Sequence, residues 1–281
     1  MPTLTYNSYG KSRVRLTKVV RKTAVHELFE INADIQLQGA FEASYTQGDN
    51  RDVIATDTIK NTVYVVAKEN DFSSIEDFAV LLANHFVTTY PQVAGATIEL
   101  TQTAWSRIPV NGKPHDFAFT SGGPQVKLAI ATLQRDGQVQ LIGGVRDLVV
   151  LKTTDSEWKD FHRDRYRTLK DTSDRILATK VNAEWTYTTT TADFNAANEK
   201  ITAAVLEAFA TKHSLGAQQT IWDMGQAAIA AYSDISKITF TLPNLHRIPF
   251  NLEPFGLKFE NDIFIATDEP HGLITGTIER K

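Results

Sequence analysis

The candidates for chemistry in this sequence are polar side chains at the ends of expected helices and strands. They are Lys11 before a strand, Thr56 and Asp57 at a helix start, Arg175 before a strand, Gln218 before a helix, and Asn244 with His246. Lysine and histidine can exchange protons, since a shielded amine loses its charge readily and an imidazole titrates near neutral pH. Arginine only donates hydrogen bonds, whereas glutamine donates and accepts them.

Each of these residues also has a purely structural interpretation. Thr56 is suited to cap a helix, and Arg175 is suited to pair with Asp171. Asn244 follows Pro243, a combination typical of turns. Because polar residues at such positions usually serve structure, no one of them identifies a site by itself.

The histidines, cysteines and glycines form no familiar metal or cofactor motif. The seven histidines lack the H-x-H, H-x-x-x-H and HExxH spacings of metal sites. The cysteine count is zero, which excludes disulfides, thiolate metal sites, iron-sulfur clusters and a cysteine nucleophile. No GxGxxG, GxxxxGK[ST] or GxSxG motif occurs. We therefore expect no metal site.

The composition indicates a folded protein that does not bind nucleic acid. Of the 281 residues, 42% are hydrophobic and 10% aromatic, and the formal net charge is -4. No stretch approaches the roughly 18 to 20 apolar residues of a membrane span. The first residues lack a signal-peptide pattern, and the last lack a peroxisomal address. We therefore expect a cytoplasmic protein with neither nucleic acid nor membrane as a partner.

Alternating hydrophobicity predicts the first strands. Apolar and polar residues alternate from Phe29 to Leu37, as in a half-buried antiparallel strand. The alternation continues as far as Tyr45, past Gly39, where we expect a bulge or a bend. Residues 13–20 supply a partner strand.

Two helices follow in the first half of the chain. One begins near Thr56 or Asp57, either of which is suited to the N-cap. The other opens with Ser73 and Glu76, which match a capping box. After the second helix, the sequence predicts another strand that includes Ile98.

The second half repeats this order of strands, helices and strands. A hairpin at residues 136–137 is followed by a strand through Trp185, a helix that stops at Gly216, and a second helix from about Gln219. Further strands are expected at residues 238–242 and 257–265. The segment 120–124 is the best linker by composition. We therefore predict an α+β protein of two similar modules, residues 1–122 and 123–281.

Four segments of the sequence resemble motifs of the urate oxidases. They are residues 9–11, residues 53–62, residues 151–156 with Phe161, Tyr166, Leu169 and Arg175 after them, and residues 242–246. The longest of the four keeps its spacing and is highly specific. The match extends in order from about residue 6 to residue 278.

The resemblance implies a fold and an assembly. Two tandem tunnelling-fold modules, each an antiparallel sheet with paired helices, would assemble into a homotetrameric barrel with a central tunnel. Lys11, Thr56 and Asp57 would reach the ligand from one subunit, and Trp158, Arg175 and Gln218 from its neighbour. The active sites would then lie at subunit interfaces.

The resemblance also assigns roles to residues. The catalytic residues would be Lys11, Thr56 and His246, and the substrate would be bound by Asp57, Trp158, Leu169, Arg175, Ala217, Gln218 and Asn244. Trp158 departs from the family, which usually has phenylalanine as the stacking platform. An indole is large enough to take that place.

The implied activity is oxidation of urate by O2 to 5-hydroxyisourate and hydrogen peroxide, with no cofactor. One alternative is another enzyme of the tunnelling-fold group that acts on a pterin or a related purine. A second is a purine-binding or scaffold protein that keeps the fold without the chemistry.

Overall fold

A computed structural model of the chain describes residues 2–281. The strands are β1 (Tyr9–Val20), β2 (Glu27–Gly39), β3 (Val93–Val110), β4 (Lys113–Gln134), β5 (Gln140–Lys152), β6 (Leu177–Tyr187), β7 (Ile235–Pro243), β8 (His246–Pro249), β9 (Phe264–Thr267) and β10 (Leu273–Glu279). The helices are α1 (Glu42–Thr46), α2 (Thr56–Glu69), α3 (Ile75–Thr89), α4 (Phe194–Thr211) and α5 (Ala217–Ala231), with a 3-10 turn at Glu253–Phe255. Antiparallel strands and helices occur in separate groups, which confirms the predicted α+β class.

The chain forms two compact units. Unit 1 comprises the residues up to Gly144 together with Thr186–Asn198, and unit 2 comprises Val145–Trp185 and Glu199–Lys281. The expected linker at residues 120–124 is wrong, because these residues lie within β4. Their backbone pairs with β3, for example Ser121 opposite Trp105, so ladder hydrogen bonds outweigh the weak strand propensity of the segment. The module boundary at residue 122 stays a prediction.

In unit 1, β1, β2, β3 and β4 are neighbours in that order. The alternating residues of β2 from Phe29 to Leu37 are buried, as expected. The predicted bulge at Gly39 is confirmed by a register shift, and a Cβ there would lie 2.0 Å from the carbonyl oxygen of Gln92. The strand does not continue to Tyr45, because the chain turns after this bulge and enters α1.

The capping box of α3 is formed one residue later than predicted. Ser74, not Ser73, is the N-cap, and its hydroxyl accepts from the Asp77 N–H at 3.1 Å. Asp77 accepts in return from the Ser74 N–H at 3.1 Å. Glu76, the other predicted member, is instead buried in the first turn of the helix.

Glu76 is expected to make the stability of unit 1 depend on pH. Burial raises the pKa of its carboxyl from 4.5 to about 7, against a smaller opposing effect of Lys127. One carboxyl oxygen has no hydrogen-bond partner within residues 2–281. Between pH 4.5 and 7 the folded protein holds a proton that the unfolded chain has lost, so the free energy of unfolding falls as the pH rises.

Glu76→Gln is therefore expected to abolish this decline, because the amide carries no charge to desolvate. At pH 8 the variant should unfold with a free energy higher by roughly 1–3 kcal/mol. Urea titrations at pH 5 and pH 8 measure the difference, with the exposed Glu69→Gln as the matched control. Equal pH dependence in the wild type and Glu76→Gln would contradict the prediction.

In unit 2, β5, β6, β7 and β10 are neighbours in that order, and α5 packs against β7 and β10. Strands β8 and β9 form a separate hairpin. The prediction that Gly216 stops the first helix of this half is wrong: α4 ends at Thr211, and Gly216 is the N-cap of α5.

The two units share a local pattern of arginine capping. Arg135 follows β4 and donates to the carbonyl oxygen of Tyr90, the C-cap of α3, at 2.7 Å. Arg280 follows β10 and donates to the carbonyl oxygen of Tyr232, the C-cap of α5, at 2.8 Å. Each guanidinium also donates to the carbonyl oxygen of the first residue in the strand that follows the capped helix, Val93 at 3.1 Å and Ile235 at 3.2 Å.

A left-handed residue within one strand of each unit provides a second correspondence. Arg13 in β1 and Asp147 in β5 have φ values of 58° and 57°. The N–H of Arg13 donates to the Asp34 carboxylate, and that of Asp147 to the Asn182 side-chain oxygen, both at 3.0 Å. Both patterns support the proposal of two repeated modules.

Candidate active site

In unit 1, a hydrogen bond joins the start of β1 to the residues before α2. The Ile54 N–H donates to the Tyr9 hydroxyl at 2.8 Å, and the Tyr9 ring meets Phe41 edge-on at 4.8 Å. Lys11 and Thr56 each lie two positions beyond this bond. It therefore holds together the segments that carry them, although 45 positions separate Tyr9 from Ile54.

The backbone around Lys11 is tightly fixed. A Cβ on Gly10 would lie only 1.7 Å from the carbonyl oxygen of Ile35, so glycine is required at this position. The register between β1 and β2 then shifts between Lys11 and Val14. The Lys11 side chain is half-buried and makes no hydrogen bond or ion pair within residues 2–281, so its amine is available to a ligand.

Helix α2 begins with its first N–H groups uncapped by a side chain. The prediction that Thr56 or Asp57 is the N-cap is wrong, because Ala55 takes that position and both residues lie in the first turn. Ala55 has no side chain that accepts a hydrogen bond. The free N–H groups and the helix dipole therefore favour an anion at this end.

The Asp57 carboxylate is held by its own helix. It accepts hydrogen bonds from Lys60 and, at 3.1 Å, from Asn61. Lys60 lowers the pKa of this carboxyl below its ordinary value, and the positive charge of Lys11 contributes in the same direction. Asp57 is thus ionised close to Lys11, and its backbone N–H is the group best placed to bind an anion.

In unit 2, a cavity of about 600 Å³ brings five predicted site residues together. These residues are Trp158, Leu169, Arg175, Asn244 and His246. They come from the segment between β5 and β6, from the end of β7, and from the start of β8. Lys11, Thr56 and Asp57 belong to unit 1 and are not part of this cavity.

Arg175 is half-buried and lines this cavity with a guanidinium that is not fully hydrogen-bonded. Its N–H donates to the Ser156 carbonyl at 2.8 Å, and its guanidinium carbon lies 5.7 Å from the centre of a Trp158 ring. Burial lowers the pKa of the guanidinium from its ordinary value, and Nε has no partner within residues 2–281. The expected structural partner, Asp171, binds two other arginines instead. A buried donor of this kind requires an acceptor in the cavity.

Trp158 occupies the site with its ring fixed on one side. It stacks on Phe161 at 5.5 Å with an interplanar angle of 12°, and its backbone exchanges two hydrogen bonds of 2.9 Å with Thr172. A Cβ on Gly216 would lie 2.7 Å from Cζ3 of the indole. The large ring therefore fits because residue 216 has no side chain.

Ala217 and Gln218 are the first two residues of α5. Ala217 is buried and Gln218 is exposed, and the N-cap Gly216 supplies no side-chain cap. The neighbouring Gln219 accepts from Leu215 and donates to the helix, whereas the Gln218 carboxamide makes no hydrogen bond within residues 2–281. Neither Ala217 nor Gln218 is among the residues that line the cavity, so their place in the site stays a prediction.

Asn244 and His246 present unpaired polar atoms to the cavity. The Asn244 N–H donates to Gly272 at 2.9 Å, but its side-chain oxygen is buried with no partner within residues 2–281. His246 lies opposite Thr267 at the start of β8, and its imidazole has no hydrogen bond or ion pair in the described chain. Both side chains can therefore serve a bound molecule.

Sequence reasoning missed the aromatic wall of the cavity. Phe259 and Phe264 line it, beyond the polar residues. The expected strand at residues 257–265 is wrong for most of its length, because β9 covers only Phe264–Thr267. The preceding residues are irregular, so no periodicity could have placed these rings in the cavity.

Residues 2–281 contain neither a cluster of metal-binding side chains nor a membrane-spanning helix. No group of three or more His, Cys, Asp or Glu side chains is arranged to hold a metal ion in that range. No helix in the same range is long and apolar enough to cross a membrane.

The sequence matches one family of proteins along almost its whole length. The model of the family described as Uricase matches residues 7–131 and 141–275. A uricase from Arthrobacter globiformis is 43% identical over 275 residues, covering 98% of this chain and 89% of that protein. A uricase from Dictyostelium discoideum is 36% identical over 283 residues, covering 100% of this chain and 98% of that one.

Solved structures give the same result for the fold. The crystal structure of the Arthrobacter globiformis uricase matches with a TM-score of 0.94 at 43% identity, covering 100% of this chain and 96% of that one. A urate oxidase from Bacillus sp. TB-90 matches with a TM-score of 0.84 at 20% identity, covering 98% of this chain and 100% of that one. The second likeness concerns the fold alone, and the predicted fold is confirmed.

Proposed function

The chain belongs to the uricase family, and from that premise we propose that it oxidises urate with O2 to 5-hydroxyisourate and hydrogen peroxide without a cofactor. The proposal rests mainly on the Arg175 guanidinium, which lies beside the Trp158 ring and has a buried Nε without a hydrogen-bond partner in the described chain. A planar anion with carbonyl groups on its edge could accept hydrogen bonds from Arg175 and stack on the Trp158 ring at the same time. Asn244 and His246 line the same cavity.

Recognition of urate follows from the chemistry of its edge, which alternates carbonyl acceptors and N–H donors. Arg175 would donate to the carbonyl groups, and Gln218 would donate and accept at the neighbouring positions. Trp158 would stack on the purine, and Leu169 and Ala217 would form apolar walls. A purine that lacks one of these edge groups would leave a polar side chain unpaired and bind less well.

Gly216→Ala tests the stacking role of Trp158. The new methyl group would meet the indole at 2.7 Å, so we expect the ring to move and KM for urate to rise about tenfold, a typical result of overpacking. Steady-state kinetics measure KM, and a melting curve checks that the protein folds. In the Trp158→Phe background the smaller ring should tolerate the same change. An equal rise in both backgrounds would rule out the indole contact as the cause.

The proton transfer is assigned to Lys11 acting through Thr56. Lys11 would accept a proton from bound urate by way of the Thr56 hydroxyl, and His246 would orient or share that proton. The uncapped N–H groups of Thr56 and Asp57 would hold the negative charge that develops on the substrate.

Oxidation then needs no further redox group. Loss of a second proton makes urate electron-rich, so it gives two electrons to O2 and takes up a peroxide at C5. Water replaces the peroxide, which leaves as H2O2, so that urate, O2 and H2O become 5-hydroxyisourate and H2O2. Asn244 would hold the O2 or the attacking water over the ring with its unpaired amide.

We propose that each active site is shared by two subunits of a homotetramer. Lys11, Thr56 and Asp57 belong to unit 1, whereas the cavity residues belong to unit 2. In the proposed assembly, unit 1 of one subunit completes the cavity of its neighbour, in a barrel with a central tunnel. The cytoplasmic location expected from the sequence is part of the same proposal.

The function is tested by supplying chelator-treated protein, free of flavin absorbance, with urate in air. Loss of urate absorbance, O2 consumption and peroxide formation should proceed in a 1:1:1 ratio by the equation above. Binding of urate without peroxide would favour a non-catalytic purine-binding protein. Activity that returns only when a metal is added would favour a metal-dependent enzyme of related fold.

A further inference from the structure

His213 lies between two carboxylates in the connection from α4 to α5. Its Nδ1 is 2.7 Å from an Asp155 carboxylate oxygen, and its Nε2 is 3.6 Å from a Glu157 carboxylate oxygen. Glu157 also contacts the Lys159 ammonium at 2.9 Å, and Asp155 lies 4.0 Å from the Lys152 ammonium. The imidazole therefore bridges two acidic residues of the segment that follows β5.

Two backbone hydrogen bonds, one donated by Ser214 and one accepted by it, join the same two segments beside this bridge. The Ser214 N–H donates to the Asp155 carbonyl at 3.1 Å, and the Glu157 N–H donates to the Ser214 carbonyl at 2.8 Å. The Ser214 hydroxyl is buried and lies 2.7 Å from the Thr220 hydroxyl. The segment 155–157 is thereby joined to the start of α5.

Both joined segments contain, or lie next to, residues that are proposed to bind the purine. Trp158 follows Glu157 directly, and the Arg175 N–H donates to the Ser156 carbonyl at 2.8 Å. Gln218 lies five positions after His213, at the start of α5. A small slip between the two segments would move Gln218 relative to Trp158 and Arg175.

We propose that His213 is a positioning residue of the purine site, which fixes Gln218 against Trp158 and Arg175 by bridging Asp155 and Glu157. The inference rests on the proposed function, because it takes these three side chains as the ones that hold urate. His213 itself does not line the cavity. Its effect is on the geometry of binding and not on the chemical step.

The protonation state of His213 decides how many carboxylates it can serve. Asp155 raises the pKa of His213 above its ordinary value of 6.5, and Glu157 adds to the effect. The imidazolium hydrogen-bonds Asp155 and forms an ion pair with Glu157, whereas the neutral ring can keep only the hydrogen bond. As the pH rises through the raised pKa the bridge is lost, and Lys152 and Lys159 remain as the cations that face Asp155 and Glu157.

The test compares His213→Gln, His213→Lys and the exposed His162→Gln with the wild type. Since the bridge is half-exposed, we expect KM for urate to rise about threefold to fivefold in His213→Gln, with kcat at saturating urate within about twofold. His213→Lys keeps a cation between the carboxylates and should recover part of the affinity. The control His162→Gln should match the wild type.

The pH profile provides a readout that a purely structural role would not move. KM of the wild type should rise from pH 6 to pH 9, and this rise should be smaller in both His213 variants, which do not titrate in that range. Binding of xanthine, a planar purine that lacks the C8 carbonyl of urate, should weaken in parallel.

Failure of this inference is distinguishable from failure of the proposed function. If the wild type oxidises urate but His213→Gln keeps its KM and its pH profile, the positioning role is overturned. The same holds if His213→Gln lowers kcat with KM unchanged. If the wild type does not oxidise urate at all, the proposed function fails first, and xanthine binding by the same variants still tests the positioning role.

Discussion

Lys11→Met is expected to lower kcat for urate by at least about a hundredfold, the usual size of the loss when a general base is removed. The amine of Lys11 makes no hydrogen bond or ion pair within residues 2–281, so the change removes no structural contact of that kind. Methionine keeps a similar length and the apolar stem. Binding of xanthine should therefore change little, because the proposed clamp lies in unit 2.

The initial rate of urate absorbance loss at saturating urate measures kcat, and Lys68→Met is the matched control. Lys68 is exposed in the last turn of α2 and has no assigned role. The base assignment is contradicted if Lys11→Met retains a kcat within a few fold of the wild type. Loss of kcat in both lysine variants would point to a general effect on α2 and its surroundings.

Arg175→Ala is expected to raise KM for urate by about a hundredfold, since two charge-assisted hydrogen bonds are lost. Arg175→Lys keeps the charge without the planar fork and should fall between the wild type and the alanine variant. The guanidinium has no carboxylate partner to leave unpaired, because Asp171 is bound by other arginines.

Steady-state kinetics and xanthine titration measure the loss of affinity, with Arg165→Ala as the control. Arg165 lies in the same segment, and its side chain hydrogen-bonds and stacks on the exposed Tyr166. A wild-type KM in Arg175→Ala would mean that the clamp is assigned to the wrong residue. A KM rise in Arg165→Ala of the same size would mean that the segment as a whole, and not the fork, sets affinity.

Local regularity made much of the fold predictable. The alternation from Phe29 to Leu37 predicted β2, since one face of that strand is buried. It failed beyond Gly39, because the turn into α1 depends on the close approach of Gln92 from another segment. The capping box of α3 was placed one residue early, because two consecutive serines offered two similar starts and the burial of Glu76 was not visible in the sequence.

The motifs named residues that the fold brings together, but they did not give the contacts around those residues. The motifs identified Arg175, Trp158 and His246, and the structure brings these three into one cavity. The space that Gly216 leaves for Trp158 depends on two segments far apart in the chain, and the role of His213 depends on the same pairing. No local pattern carries such contacts, so they could be found only in the folded protein.

The most direct test of the shared active site combines the two impaired variants, Lys11→Met and Arg175→Ala. Lys11→Met and Arg175→Ala chains with different tags are produced in one cell, and hybrid oligomers are isolated through both tags. If unit 1 of one subunit completes the cavity of its neighbour, random pairing restores about a quarter of the sites, and urate oxidation returns at low substrate concentration. Hybrids that assemble normally but oxidise low concentrations of urate as slowly as the parent variants would contradict a site built from two subunits.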